Sequence, residues 1–156
     1  MEIHNINPVF DENSKILILG SFPSVKSREQ KFFYGHPQNR FWKVISNILG
    51  EEVPNTIEEK KSMLLRNHIA VWDVIKSCNI VGSSDSSIEN VEVNDFGIIL
   101  NNAKIGRIYA NGDKAYKLFK KYYKDIEIIK LPSTSPANAQ YSLEKLCEEW
   151  RRRIFD

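Results

Sequence analysis

Between Phe32 and Trp42 the chain runs Phe32-Phe33-Tyr34-Gly35-His36-Pro37-Gln38-Asn39-Arg40-Phe41-Trp42, crowding rings, a histidine, an amide and a guanidinium into the entrance of a helix. Aromatic faces stack on flat ligands and amides bond their polar edges, so this cluster reads as a pocket wall. Upstream, the apolar run Ile16-Leu17-Ile18-Leu19-Gly20 passes straight into Ser21-Phe22-Pro23-Ser24, as a buried strand does when it ends in a functional loop. Gly20-Ser21-Phe22-Pro23-Ser24 is not the G-x-S-x-G elbow of serine hydrolases, and an ester hydrolase is the weakest of the readings. Neither a Walker loop nor G-x-G-x-x-G occurs, which leaves phosphoryl transfer and dinucleotide binding without support. Amides, hydroxyls and rings remain. They suit a pocket that stacks a flat ring, bonds its edge, and grips phosphates with hydroxyls and backbone amides.

Composition sets the frame. Hydrophobic residues at 42% and charged residues at 27% are ordinary for a globular protein, and 156 residues fit one domain spanning 1–156. No apolar run approaches the roughly 18 residues of a membrane span, and the N-terminus lacks a secretory signal, so a cytoplasmic monomer is expected. Cys78 and Cys147 stand far apart, and His4, His36 and His68 are scattered. No metal-ligand spacing results, and neither metal nor cofactor is expected. The net charge of +2 neither announces nor excludes a nucleic acid. Lys114, Lys117, Lys120, Lys121 and Lys124, like Arg151 to Arg153, read first as solvated faces.

The elements that must position the cluster follow from periodicity. Residues 15–20 predict a central buried strand, and Phe41, Val44, Ile45, Ile48 and Leu49 an amphipathic helix stopped by Gly50. A helix over 57–67 leads to a second strand at Ile69-Ala70-Val71-Trp72-Asp73-Val74. The segment 82–87 reads as a surface loop, and Phe96, Ile99, Leu100 and Ala103 as a short helix. A strand over 107–110 ends at Asn111-Gly112, a helix buries Ala115, Leu118, Phe119 and Tyr122, and Ile126-Glu127-Ile128-Ile129 predicts the fourth strand. Leu143, Leu146, Cys147, Trp150 and Ile154 share a face of the last helix. Strands alternating with helices mean a parallel-rich sheet in an α/β sandwich, with ligands at the strands' carboxyl ends. Those ends are 21–24, 73–77, 111–112 and 131–138, and they should converge on one crevice.

Gly20-Ser21-Phe22-Pro23 followed by Tyr34-Gly35-His36-Pro37-Gln38-Asn39-Arg40-Phe41-Trp42-Lys43-Val44-Ile45 resembles the uracil-DNA glycosylase superfamily, closest to its hypoxanthine-DNA (deoxyinosine) glycosylase branch. Tyr109-Ala110-Asn111-Gly112-Asp113-Lys114-Ala115-Tyr116 is similar to a strand-to-helix step of those enzymes, and Leu131-Pro132-Ser133-Thr134-Ser135-Pro136-Ala137-Asn138 to their second signature loop. The resemblance implies a three-layer α/β/α sandwich around a mostly parallel four-stranded sheet. It also implies hydrolytic removal of a deaminated base, foremost hypoxanthine, from double-stranded DNA by base flipping, leaving an abasic site.

Carried over by position, the resemblance makes Asn39 the catalytic amide and Tyr34 the ring that stacks on the flipped base. Ser21, Phe22 and His36 complete the base pocket, while Ser133, Ser135, Pro136, Ala137 and Asn138 contact or wedge the DNA. Two departures stand out. Phe22 replaces a water-orienting asparagine of the mismatch-specific relatives, and Ser24 a common glycine. The bland alternatives stay open: Asn39 as a helix N-cap only, Tyr34 as a packed aromatic, His36 as a loop histidine, Ser133 and Ser135 as turn formers. Asp73 and Asp85 read as structural, and Asn111 as a turn residue. The competing class is a catalytically silent DNA- or nucleotide-binding module of the same fold.

Overall fold

Side chains alternate along the buried strands, and each set needs its own cover of helices. The computed structural model describes residues 1–155. Its strands are β1 (Glu2–Ile3), β2 (Ile16–Gly20), β3 (Ile69–Asp73), β4 (Ile75–Asn79), β5 (Glu89–Val93), β6 (Arg107–Asn111) and β7 (Ile129–Leu131). Its α-helices are α1 (Val25–Gln30), α2 (Phe41–Leu49), α3 (Ile57–Arg66), α4 (Gly97–Leu100), α5 (Asp113–Tyr122) and α6 (Leu143–Phe155). The central sheet has the order β3-β2-β6-β7 and is parallel throughout. Ile18, Val71 and Tyr109 point toward α2, α3 and α6, whereas Leu17, Leu19, Ala70, Ile108 and Ala110 pack under Ile99 of α4 and Ala115 and Phe119 of α5. This is the expected α/β/α sandwich. No helix among the described residues is long and apolar enough to cross a membrane.

Register brings the functional edge together. Gly20 pairs with Asp73, Leu19 with Ala110, and Asn111 with Leu131, so all four strands finish at one level. The fourth strand lies at Ile129–Leu131 and not at 126–129. The Ile126 amide bonds the Tyr123 carbonyl to close the turn after α5, and Ile128 is spent in the core on the α5 side. The helix expected over 96–103 is confined to Gly97–Leu100.

A second, antiparallel sheet in the order β1-β4-β5 lay outside the sequence expectation. The end of the second strand, read as a loop from Asp73 to Ser77, instead turns at Val74 and re-enters extended structure at Ile75, burying Ile75, Ser77 and Cys78. Helix α1 is likewise additional. Ser24 is its N-cap, accepting the Ser27 amide at 3.1 Å, which gives its hydroxyl a structural use.

Arg40 fixes the 132–142 loop over this edge. Its guanidinium donates to the carbonyls of Ser135 at 2.9 Å and Asn138 at 3.1 Å and to that of Tyr141, while Nε reaches the Thr134 carbonyl at 3.4 Å. A planar fork serves several acceptors that an ammonium cannot reach together. Arg40→Ala is expected to lower stability by about 1.5–3 kcal/mol, the range for hydrogen bonds to a charged group, and Arg40→Lys to recover only part of it. Urea denaturation checks this, and an unchanged midpoint in Arg40→Ala refutes the clamp.

Candidate active site

At the carboxyl ends of the parallel strands lies a cleft of about 860 Å³, within the roughly 300–1,000 Å³ usual for small-molecule sites. Its walls are the 20–24 turn, Tyr34 to Asn39, Asp73, the 83–86 turn, Asn111 to Asp113 and the 131–138 loop. The sequence-predicted residues Ser21, Phe22, Tyr34, His36, Asn39, Ser133, Ser135, Pro136, Ala137 and Asn138 all line it.

Tyr34 forms its aromatic wall. The backbone there has φ of 54°, a left-handed conformation that a residue with a Cβ adopts at some cost. Its neighbours hold it: the Gly35 amide donates to Ser27 Oγ at 2.9 Å, and Trp42 Nε1 to the Phe33 carbonyl at 3.2 Å. The ring stacks on Phe41 at 3.9 Å between centroids and 14° between planes, and Phe41 is itself fully buried against Trp42 and Trp150. One face of the half-buried Tyr34 is therefore backed by core, and the residue borders the cleft. Burial pushes its phenol well above the ordinary pKa, with the charge of Asp73 adding to the effect. Asn111 lies near enough to oppose that shift, yet its amide is committed to Thr134, and the phenol oxygen has no hydrogen-bond partner. Gly20 makes room beneath, since a Cβ there would collide with Asp73 Oδ1 and stand 2.9 Å from the Tyr34 hydroxyl.

Asn39 divides its amide between two tasks. Oδ1 accepts the Phe41 amide and the Thr134 hydroxyl, each at 2.9 Å, which fills both carbonyl lone pairs. Since a backbone N–H only donates, the atom facing Phe41 must be the oxygen. The N-cap of α2 is Arg40 and not Asn39, whose carbonyl closes a turn onto the first helical amide instead, whereas Nδ2 has no protein partner among the described residues. Thr134, buried and given no role in the sequence reading, is the junction. Its hydroxyl accepts Asn111 Nδ2 at 3.0 Å, and its amide donates to Asn111 Oδ1 at 3.0 Å. Asn111 is therefore a bridge between two loops, more than a turn residue.

The other predicted residues divide. The Ser21 hydroxyl is spent on Asp85 Oδ1 at 2.8 Å. Phe22 is buried in a small cluster with Ile75, Cys78 and Ile88, under the Arg28 guanidinium at 5.3 Å. His36 Nδ1 accepts the Gln38 amide at 3.1 Å, which leaves Nε2 as the ring donor. Ser133 and Ser135 cap turns within their own loop, bonding the amides of Ser135 and Ala137. Pro136 and Ala137 form the exposed tip, while Asn138 folds back through Nδ2 onto the Ser133 carbonyl at 3.0 Å and braces it.

Two carboxylates enter that the sequence left as structural. Asp73, 3% exposed, accepts His4 Nε2 at 2.8 Å, and His4 Nδ1 accepts the Ile6 amide at 3.3 Å, fixing the ring as an Nε2 donor. His4 had no sequence signal, because β1 brings it from far along the chain. Asp85 sits in a 3₁₀ turn at 85–87. The residue keeps solvent exposure, but protein atoms crowding its carboxyl raise the pKa, an effect the Ser21 hydroxyl partly offsets. Among the described residues no His, Cys, Asp and Glu cluster could hold a metal ion.

Comparison with known proteins places this arrangement. Residues 8–154 match the family model of the uracil DNA glycosylase superfamily. A protein of Methanosarcina acetivorans named hypoxanthine DNA glycosylase is 39% identical over 145 residues, 90% of each chain. Its namesake from Methanosarcina barkeri is 37% identical over 117 residues, 74% of each chain. A solution NMR structure of a uracil DNA glycosylase candidate from Methanosarcina acetivorans superposes with a TM-score of 0.79 at 37% identity, covering 94% of this chain and 92% of that one. With its parallel sheet, its cleft at the strand ends and this likeness along almost its whole length, the chain belongs to the uracil DNA glycosylase superfamily.

Proposed function

We propose that this protein is a monofunctional DNA glycosylase that removes hypoxanthine from deoxyinosine in duplex DNA, the activity for which its two Methanosarcina relatives are named. The observation that carries the reading at the site is one cleft holding both a ring backed by core, Tyr34 on Phe41, and an amide NH2 without a protein partner, that of Asn39. A flipped purine stacks on Tyr34. Asn39 Nδ2 donates to an acceptor on the purine edge and stabilises the negative charge that gathers on the base as the C1′–N9 bond lengthens. A preorganised donor of this kind contributes a few kcal/mol. His36 Nε2 and the backbone amides of Ser21 and Phe22 supply further donors to the base.

Base extrusion costs a few kcal/mol, less at a mispair, and something must occupy the gap. The exposed Pro136–Ala137 tip, braced by Asn138 and clamped by Arg40, fits that role, with Ser133 and Ser135 beside the phosphates. Phe22 fills with hydrocarbon the position where uracil-removing relatives carry an amide, so uracil opposite adenine is expected to be a poor substrate.

A panel of duplexes, each with one deaminated base and developed by alkaline strand cleavage, tests the reading. Cleavage at deoxyinosine exceeding that at uracil is expected. Binding without base release points to the catalytically silent module, and release of uracil alone overturns the assignment.

Tyr34→Ala is expected to weaken capture of the flipped base by roughly 1–3 kcal/mol, the worth of one stacked base. Tyr34→Phe should keep both activity and stability, because the phenol oxygen it removes is buried without a partner. Fluorescence of a base analogue and thermal melting read the two effects, and activity lost in Tyr34→Phe contradicts the stacking role.

Asn39→Asp separates the two ends of the amide. Its carboxylate still accepts from Phe41 and Thr134, so the melting temperature should stay near that of the parent. The NH2 donor is gone and a negative charge stands beside the departing base, so single-turnover base release should fall on the order of a hundredfold or more. Asn39→Ala should lose the same activity and about 1–3 kcal/mol of stability besides, because the Phe41 amide and the Thr134 hydroxyl lose their acceptor. Full turnover in Asn39→Asp removes the amide from the chemistry.

A further inference from the structure

Hydrolysis needs an acceptor for the proton of the attacking water, and the carbonyl of the Asn39 amide is already occupied. Both lone pairs of Asn39 Oδ1 are occupied by Phe41 and Thr134. Asn111 Oδ1 accepts the Thr134 amide, and His36 Nδ1 the Gln38 amide. Asp73 is buried, with Oδ2 on His4 and Oδ1 wedged beneath Gly20. Asp113 is paired with Lys117 at 2.8 Å and Lys130 at 3.4 Å.

One carboxylate lining the cleft differs from these. Asp85 Oδ1 is held by the Ser21 hydroxyl at the rigid end of β2, and Oδ2 has no protein partner among the described residues. The backbone behind it is fixed as well, since the Asp85 carbonyl accepts the Ile88 amide at 3.3 Å. Ser21 immediately precedes Phe22, the position that lacks a polar side chain. A hydroxyl-anchored carboxylate from the 83–86 turn thus stands beside the gap in the 20–24 turn.

We propose that Asp85 is the general base of this site, oriented by Ser21, an assignment that rests on the glycosylase reading above. The C1′–N9 bond breaks with its electron pair leaving on the purine, and a water oxygen bonds to C1′. The proton of that water passes to Asp85 Oδ2 and then to solvent, while the departing purine anion takes a proton from solvent. Ser21 is a positioning residue, acting through the carboxylate. The groups around Asp85 set its titration. Asp73 at the end of β3 repels its charge, Lys114 in the first turn of α5 attracts it, Ser21 bonds it, and both carboxylates bear on the neutral Tyr34 phenol.

Single-turnover release of hypoxanthine from a deoxyinosine duplex, followed against pH, is the test. Crowding raises the Asp85 pKa above 3.8, and the carboxylate form is the active one, so the parent rate should climb with pH through an acidic limb above that value and then level. Asp85→Asn should lower the plateau rate on the order of a hundredfold, within the usual worth of a general base, and abolish the limb. Binding of a duplex carrying non-cleavable 2′-fluoro-deoxyinosine should change less than about threefold. Ser21→Ala removes a hydrogen bond to the ionised form, so its limb should move to higher pH while a substantial plateau remains. Asp85→Asn that keeps the parent rate and limb overturns the inference alone, as does a parent profile with no acidic limb. A parent protein that releases no base from any deaminated duplex overturns the glycosylase reading and this inference with it.

Discussion

One buried hydroxyl ties the working parts together. Thr134 Oγ1 lies between Asn111 of β6 and Asn39 at the mouth of α2, accepting from one amide and donating to the other. A hydroxyl has one proton to give, so the direction of donation is set along the whole chain, and both amides are locked in a single orientation. The backbone of the same residue closes the arrangement, its N–H on Asn111 and its C=O on the Arg40 amide at 3.1 Å. Three segments far apart in sequence are thereby held at fixed mutual distance. In an apolar surrounding, removing any member leaves polar atoms without partners, which costs more than the bond itself contributes.

The electrostatics of the cleft deserve the same reading. Three carboxylates, Asp73, Asp85 and the lysine-paired Asp113, border a site proposed for a polyanion, and a phenol buried near the first two stays protonated. Negative charge here disfavours a phosphate, which suits the place where a sugar develops positive character. Lys114 of α5 and Arg153 of α6 oppose this field from the cleft's edge, Lys114 by attracting the charge of Asp85 and Arg153 by lining the cleft.

Much of this was written in local patterns. The runs at 16–20, 69–73 and 107–111 are short, apolar and followed by turn residues, and the helices over 41–49, 113–122 and 143–155 show one apolar face each. The second sheet was not legible, because β5 is a mostly exposed edge strand without strict alternation and β1 has only two residues. The fourth strand was displaced because Ile126 and Ile128 serve a turn and a core, uses that composition does not distinguish from a strand. In the site, block motifs marked Tyr34 and Asn39, but not which end of the Asn39 amide is free. That depends on Thr134, nearly a hundred residues away by sequence, |i−j| = 95. His4 and Asp85 were equally hidden: each acts through a partner that only the fold supplies, Asp73 and Ser21.

The stack of Tyr34 on Phe41 has a mechanical consequence. Phe41 opens α2, and Asn39 and Arg40 stand in the turn just before it, so ring, amide and the guanidinium that grips the 132–142 loop ride on one helix. Asn39 is in turn tied through Thr134 to Asn111 of β6, so the spacing of these groups and their distance from the sheet are fixed together. The Ser21–Asp85 pair belongs to the opposite wall, carried by β2 and the hairpin between β4 and β5. The cleft therefore has two walls whose separation is set by the Thr134 bridge from Asn39 to Asn111 of β6, the strand beside β2. A ligand wedged between them reads that width as a gauge reads a gap.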